Sequence, residues 1–324
     1  MCIKFCLRYP IFIIIIFAML LSFCACKVKS NDNTENIKNE NPITFTDALG
    51  RTVTVQKQPK RVAALIGSFA DVWTLAGGTL VAAPIDAWED FELELDGAVN
   101  IGGAHSPSLE LLLSAAPDFV LASAATASNV ALQSTLEAAG ITIAYFDVDN
   151  FNEYLEILKI CTKITGRNDL YIKNGLELQA QIETVKVRFQ SLDLPESNKR
   201  ILLLRASSTT VKAKGSTGTV LGEMLADMGC INIADNDKTL LDNLSMESVL
   251  REDPHHIFVV TMGSNTEAAQ KSVEDMILND PAWKALGAVK HNRLHFMDKR
   301  LYNLKPNARW AEAYEKLYEK LTQK

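Results

Sequence analysis

Along most of this chain, short apolar runs alternate with stretches of helical periodicity. The runs "RVAALIG" (61–67), "LVAAPID" (80–86), "DFVLAS" (118–123), "ITIAYFD" (141–147), "RILLLRAS" (200–207), "HIFVVTMG" (256–263) and "RLHFMD" (293–298) predict strands. Most are apolar at successive positions, as in strands covered on both faces. Between them, "SFADVWTLAGG", residues 108–116, 127–139 and 150–165, "GTVLGEMLADMG", residues 245–252 and 267–278, and a final "NARWAEAYEKLYEKLTQ" predict helices. Strand-helix alternation calls for parallel sheets wrapped by helices and connected by right-handed crossovers. "ITFTDALGRTVTVQ" (43–56) alternates about a Leu49-Gly50-Arg51 turn and predicts a hairpin ahead of the first sheet.

The rhythm breaks once. "NDLYIKNGLELQAQIETVKVRFQSL" (168–192) keeps Leu170, Leu176, Leu178, Ile182, Val185 and Phe189 in helical register. A helix of that length spans about 37 Å, well beyond the usual globular helix. The chain therefore divides into an α/β lobe over 43–167, a connecting helix over 168–192 and a second α/β lobe over 193–324, each lobe with a parallel-rich central sheet.

One passage occurs twice. "SLELLLSAAPDFVL" starts at Ser108 and "SMESVLREDPHHIFVV" at Ser245. In each, Ser is followed by an apolar residue and Glu, and Pro comes nine residues after the Ser. Ser108 and Ser245 are N-caps, while Glu110 and Glu247 fall in the first turn, where a carboxylate complements the helix dipole. Pro117 and Pro254 stop the helices ahead of strands. A helix that precedes a strand begins near the carboxyl ends of its sheet, the edge at which open α/β sheets bind ligands. Both glutamates are thus expected on the ligand-side rim, one per lobe. His255 and His256 belong to the opposite edge and have no further ligands at metal spacing.

The amino terminus is a separate matter. Lys4 and Arg8 precede the apolar run "IFIIIIFAMLLSF", which is too short to span a bilayer and reads as an export signal over 1–25. "SFCAC" resembles a bacterial lipobox, with Ala25 before Cys26 as the residue to be lipidated; an uncleaved anchor is the alternative. Residues 26–42, rich in Asn, Lys, Asp and Glu, are expected to be a flexible linker. Of six cysteines, Cys161 and Cys230 would remain beyond the anchor, as buried free thiols. Hydrophobic content of 48%, a formal charge of −6 and no basic stripe suit a globular chain that does not bind nucleic acid. There is no G-x-S-x-G elbow, and "GSTGTVLG" lacks the Lys-Ser/Thr of a phosphate loop, so an anchored hydrolase is a weak rival.

"FTDALGRTVTVQKQPKRVAAL", "GGAHSPSLELLLSAAPDFVLA", the Ser245 copy and "LYNLKPNARWAEAYEKL" together resemble the class III substrate-binding lipoproteins of ABC importers, which serve ferric siderophores, haem and vitamin B12. The likeness runs from about Ile43 to the end. It implies two Rossmann-like lobes joined by a rigid helix, a ligand held between them, no enzymatic activity and no intrinsic cofactor. It also implies a monomer, lipid-tethered outside the cell, that delivers its cargo to a permease dimer with ATPase subunits. Glu110 and Glu247 match the positions that dock on permease arginines. Residues following the strands should line the cleft: Ser68, Phe69, Trp88 and His105 from the first lobe, and Arg205, Met262, Arg300 and Tyr302 from the second. Gly67, Asp86, Ser207 and Lys305 lie in the same loops. Aromatic rings with cations suit a flat anionic iron complex, a ferric siderophore first. In the haem alternative, His105, Met262 or Tyr302 would be an axial ligand; cobalamin is the third choice.

Overall fold

The computed structural model describes residues 41–263 and 265–323. The expected export signal, Cys26 and the expected linker up to residue 40 lie outside the described residues. Among the described residues no helix is long and apolar enough to cross a membrane.

A hairpin opens the fold, with β1 (Ile43–Thr46) antiparallel to β2 (Thr52–Val55). Five strands then form a parallel sheet in the order β5-β4-β3-β8-β9: β3 (Val62–Ala64), β4 (Ala82–Ala83), β5 (Val99–Asn100), β8 (Phe119–Ser123) and β9 (Thr142–Phe146). The short pair β6 (Gly102–Gly103) and β7 (Ser106–Pro107) stands apart from it. The second sheet has β10 (Arg200–Ala206) flanked on one side by β13 (His256–Thr261) and then β14 (Leu294–Met297), all parallel. On its other side β10 meets β11 (Val211–Lys214), antiparallel, and β12 (Ile231–Asn232), parallel.

Burial explains the apolar runs. Along β8, Phe119 and Leu121 enter one apolar cluster while Val120 and Ala122 enter another on the opposite face. Along β10, Ile201 and Leu203 face the first cluster and Leu202, Leu204 and Ala206 a third. Side chains alternate across a strand, so a strand apolar at every position must be covered twice. The first cluster is shared. It joins Phe119 and Phe146 of the first lobe to Phe258, Trp310 and Tyr314 of the second through Ile182, Val185 and Phe189 of the connecting helix. The two lobes thus share one of the three apolar clusters, and each has a further cluster of its own.

The connecting helix is formed by consecutive segments, a turn over Asn168–Tyr171, a π turn over Ile172–Leu176 and the α-helix Glu177–Gln190. A π turn takes up an extra residue and rotates everything beyond it. That is why Leu176, expected on the buried stripe, is 40% exposed, whereas Gly175 is buried. A Cβ on Gly175 would lie 2.9 Å from Leu155 Cδ2, so the glycine allows the Phe151–Thr165 helix to approach closely. The single helix expected over 127–139 is two, Ala127–Val130 and Gln133–Ala138.

Candidate functional site: the interlobe cleft

The carboxyl ends of β3, β4, β8 and β9 face those of β10 and β13 across a cavity of about 430 Å3. From the first lobe come Ser68, Phe69, Asp86, His105, Thr126, Asp147 and Asp149; from the second, Arg205, Thr219, Met262 and Lys305. Another hollow, of about 480 Å3, lies over the hairpin. It is lined by one lobe only, and its Arg51 is already held by Asp47 and Glu137. The cleft is the candidate site because both lobes build it at the edge where such sheets bind ligands.

Each wall is fixed by local chemistry. Gly67 N–H donates to Asp86 Oδ2 at 2.9 Å and sets that carboxylate beside the start of the Gly67–Leu75 helix. No side chain fits at position 67, where a Cβ would come within 2.7 Å of Ala87 N. Phe69 is buried edge-on against Phe146 and forms floor rather than wall. Asn150 caps the Phe151–Thr165 helix in a capping box with Glu153, whose carboxylate also accepts from Asp149 N–H at 2.6 Å. This holds the loop carrying Asp147 and Asp149. Opposite, Arg205 lies in register between Lys212 of β11 and Val260 of β13. Lys305 Nζ reaches Asp149 Oδ1 across the cleft at 3.0 Å.

Burial dominates the electrostatics. It pushes the Asp86 carboxyl above its ordinary range against the Gly67 hydrogen bond, and raises Asp147, with Asp149 adding to the shift. It lowers the Arg205 guanidinium, which Asp149 partly counters. Among the described residues, Asp86 Oδ1 and Arg205 Nε are buried with no hydrogen-bond partner.

Five of the eight expected cleft residues line it: Ser68, Phe69, His105, Arg205 and Met262. Three do not. Trp88 is half-buried against the shared apolar cluster. Tyr302 is 3% exposed and donates its hydroxyl to Ala313 O at 2.9 Å, so it cannot serve as an axial ligand. Arg300 does not line the cavity: it is held beside it, over the Phe91 ring at 4.0 Å, and pairs with Asp71. The cause is local: Asp298 caps Leu301 N–H and starts the short Lys299–Tyr302 helix, which sends Arg300 to the lobe boundary and Tyr302 into the second lobe's own interior. Ser207 closes a turn with Thr210. The expected set passes over Asp147 and Asp149, although "FDVDN" places both just after a strand.

The duplicated passages match in detail. Ser108 Oγ accepts from Leu111 N–H and Ser245 Oγ from Ser248 N–H. Ala116 and Asp253, each before its Pro, both adopt positive φ (44° and 35°). Leu112 and Val249 are fully buried, while Leu113 and Leu250, three residues after the glutamates, are 37% and 43% exposed. Glu110 and Glu247 are exposed, with no hydrogen-bond or ion-pair partner among the described residues. Residues three apart share a helix face, so each lobe presents a carboxylate beside a bare leucine.

Cys161 is buried, as expected, but Cys230 is only partly so; burial raises both thiols, Cys230 to about 12.

A family model described as periplasmic binding protein matches residues 62–301. The chain belongs to that family. The resemblance drawn from the sequence therefore holds, and this periplasmic binding protein is not an enzyme. It is 24% identical over 308 residues to the ABC transporter substrate-binding lipoprotein YvrC of Bacillus subtilis, covering 94% of this chain and 93% of the relative. It is 23% identical over 291 residues to the Fe(3+)-citrate-binding protein YfmC of the same organism, covering 89% and 88%. Among solved structures, Staphylococcus aureus SirA complexed with staphyloferrin B superposes with a TM-score of 0.67 at 22% identity, covering 86% of this chain and 98% of that one. The heme-binding protein RhuT from Roseiflexus sp. RS-1 gives 0.65 at 21% identity, covering 81% and 98%. These likenesses bear out the two-lobed α/β fold.

Proposed function

We propose that this protein captures an iron complex, a ferric siderophore in particular, in the interlobe cleft and hands it to an ABC permease with its ATPase subunits. The observation that carries the reading is a cavity walled by both lobes and lined by Arg205, whose half-buried guanidinium has no ion-pair partner among the described residues. Such a donor suits the carboxylate or other oxygen anions of an iron chelate. The iron arrives wrapped in its own ligands, so the protein supplies shape, charge and hydrogen bonds. Relatives named for Fe(3+)-citrate and staphyloferrin B support this choice of cargo.

Docking follows from the duplication. Glu110 with Leu113, and Glu247 with Leu250, form two like contacts, one per lobe, for basic and apolar groups of the permease. Cys26 is the proposed lipid attachment, holding the protein outside the cell at the membrane face.

Full-length protein in detergent, titrated calorimetrically with ferric siderophores, haem and cobalamin, tests the cargo. Binding of a ferric siderophore in preference to the other two is expected. A Soret shift with haem and no siderophore binding would transfer the site to haem, with His105 and Met262 as the candidate axial ligands in the cleft. Protein from cells fed a labelled fatty acid should carry the label, and Cys26→Ala should not; no label on the wild type, or equal label on the variant, would remove the lipid assignment.

A further inference from the structure

The two walls of the cleft carry opposite charge. The first lobe contributes Asp86, Asp147 and Asp149, and the second Arg205 and Lys305. Lys305 and Asp149 neutralise one another across the gap. What remains is a pair of carboxylates on one side and a guanidinium on the other. Asp86 Oδ1 lacks a donor and Arg205 Nε lacks an acceptor among the described residues, and both atoms are buried. Such groups keep their full desolvation cost until a partner arrives.

We infer that the natural ligand bears charges of both signs: an anionic group that meets Arg205 and an ammonium, or a like cationic donor, that meets Asp86. This rests on the cleft being the binding site for an iron chelate. A ligand with negative charge alone would satisfy Arg205 but would set its other face against Asp86 and Asp147, in a low-dielectric cavity where like charges repel strongly. A ligand with positive charge alone would leave Arg205 unmet. A mixed-charge chelate gives each side chain a counter-charge and matches the polarity of the two walls. The walls thus favour a cargo of mixed charge over the purely anionic one that aromatic rings with cations suggest.

The test uses four iron(III) complexes of one linear trihydroxamate that differ at their ends: ammonium and carboxylate, ammonium only, carboxylate only, and neither. Affinities of the full-length protein in detergent are measured by calorimetry. The complex with both charges should bind about tenfold more tightly than either singly charged one, the gain of one additional charge-assisted hydrogen bond. Arg205→Gln should abolish the gain due to the carboxylate and leave that of the ammonium. Asp86→Asn should do the reverse, because its amide oxygen can still accept from Gly67 N–H. Equal affinity for all four, or affinity that follows negative charge and ignores Asp86→Asn, overturns the inference, while the binding itself upholds the cleft as a chelate site. If none of the four binds, the siderophore reading falls and the inference falls with it.

Discussion

Arg300 of the second lobe sets its Nη2 3.1 Å from Oδ2 of Asp71 in the first. The pair does not stand alone. Asn307, fully buried, donates its amide to Asp71 Oδ2 and to Ser68 O, both at 2.9 Å. The Arg300 guanidinium also lies over Phe91 and donates to Lys305 O at 2.6 Å. Lys299 meets Asp90 at 2.9 Å beside them. Residues 299–307 therefore bolt the second lobe to the first, close to the cleft but outside it. Burial raises the Asp71 carboxyl, although Asn307 and Arg300 favour its ionised form.

Asp71→Ala should destabilise the protein by about 3–5 kcal/mol, because it strands a largely buried guanidinium and a buried amide. Urea unfolding measures this. Wild-type unfolding should be a single transition, since the lobes share one apolar cluster. A loss under about 1 kcal/mol, or separate transitions for the two lobes, would contradict the bolted arrangement.

Gly67→Ala should weaken ligand binding as well as stability, because the clash is with backbone. The new methyl group would press on Ala87 N and on Asp86 itself, shifting that carboxylate from its place on the wall. An affinity loss of about tenfold is expected from one misplaced charge-assisted contact. Wild-type affinity in this variant would show that Asp86 does not touch the ligand.

How much of this is legible in the sequence depends on the range of the interactions. Strands covered on both faces announce themselves by unbroken apolar runs, and β8, β10 and β13 form where those runs stand. The Ser-to-Pro passages are readable down to their caps, because capping is local. Arg300 and Tyr302 mislead because position after a strand says which edge a residue occupies, not where its side chain turns. Leu176 misleads because a π turn leaves no mark on a 3.6-residue pattern. β11, "VKAK", is a polar edge strand and lacks the apolar signal altogether. Contacts such as Lys305 with Asp149 join residues far apart in the chain, and no single stretch encodes them.

The buried imidazoles give a pH dependence. His256 Nδ1 and His295 Nε2 lie 3.0 Å apart on adjacent strands, and burial holds their pKa values down to about 3 and about 4. Unfolded, each would titrate near 6.5, so below that pH the unfolded chain binds more protons. Stability should fall as pH drops from about 6.5 towards 4, by up to about 1.4 kcal/mol per pH unit for each ring. Raised carboxyls such as Asp71 and Asp86 act in the opposite sense, so the comparison is with His256→Gln/His295→Gln. Urea midpoints between pH 6.5 and 5 should change less in that variant. Equal slopes would refute the assignment.

Charge reversal at both Glu110 and Glu247 should abolish transport and leave ligand affinity unchanged. Leu113→Ser with Leu250→Ser should lower affinity for the permease about tenfold without altering its salt dependence, whereas the glutamate variants should reduce that dependence. Permease ATPase stimulation and cargo uptake in proteoliposomes report on both. Normal uptake by the double glutamate variant would remove the docking assignment.

The matched Ser-to-Pro passages have a geometric corollary. Under the docking proposed above, two copies of one local design would serve both lobes, so a single kind of receiving surface on the membrane partner would suffice for each.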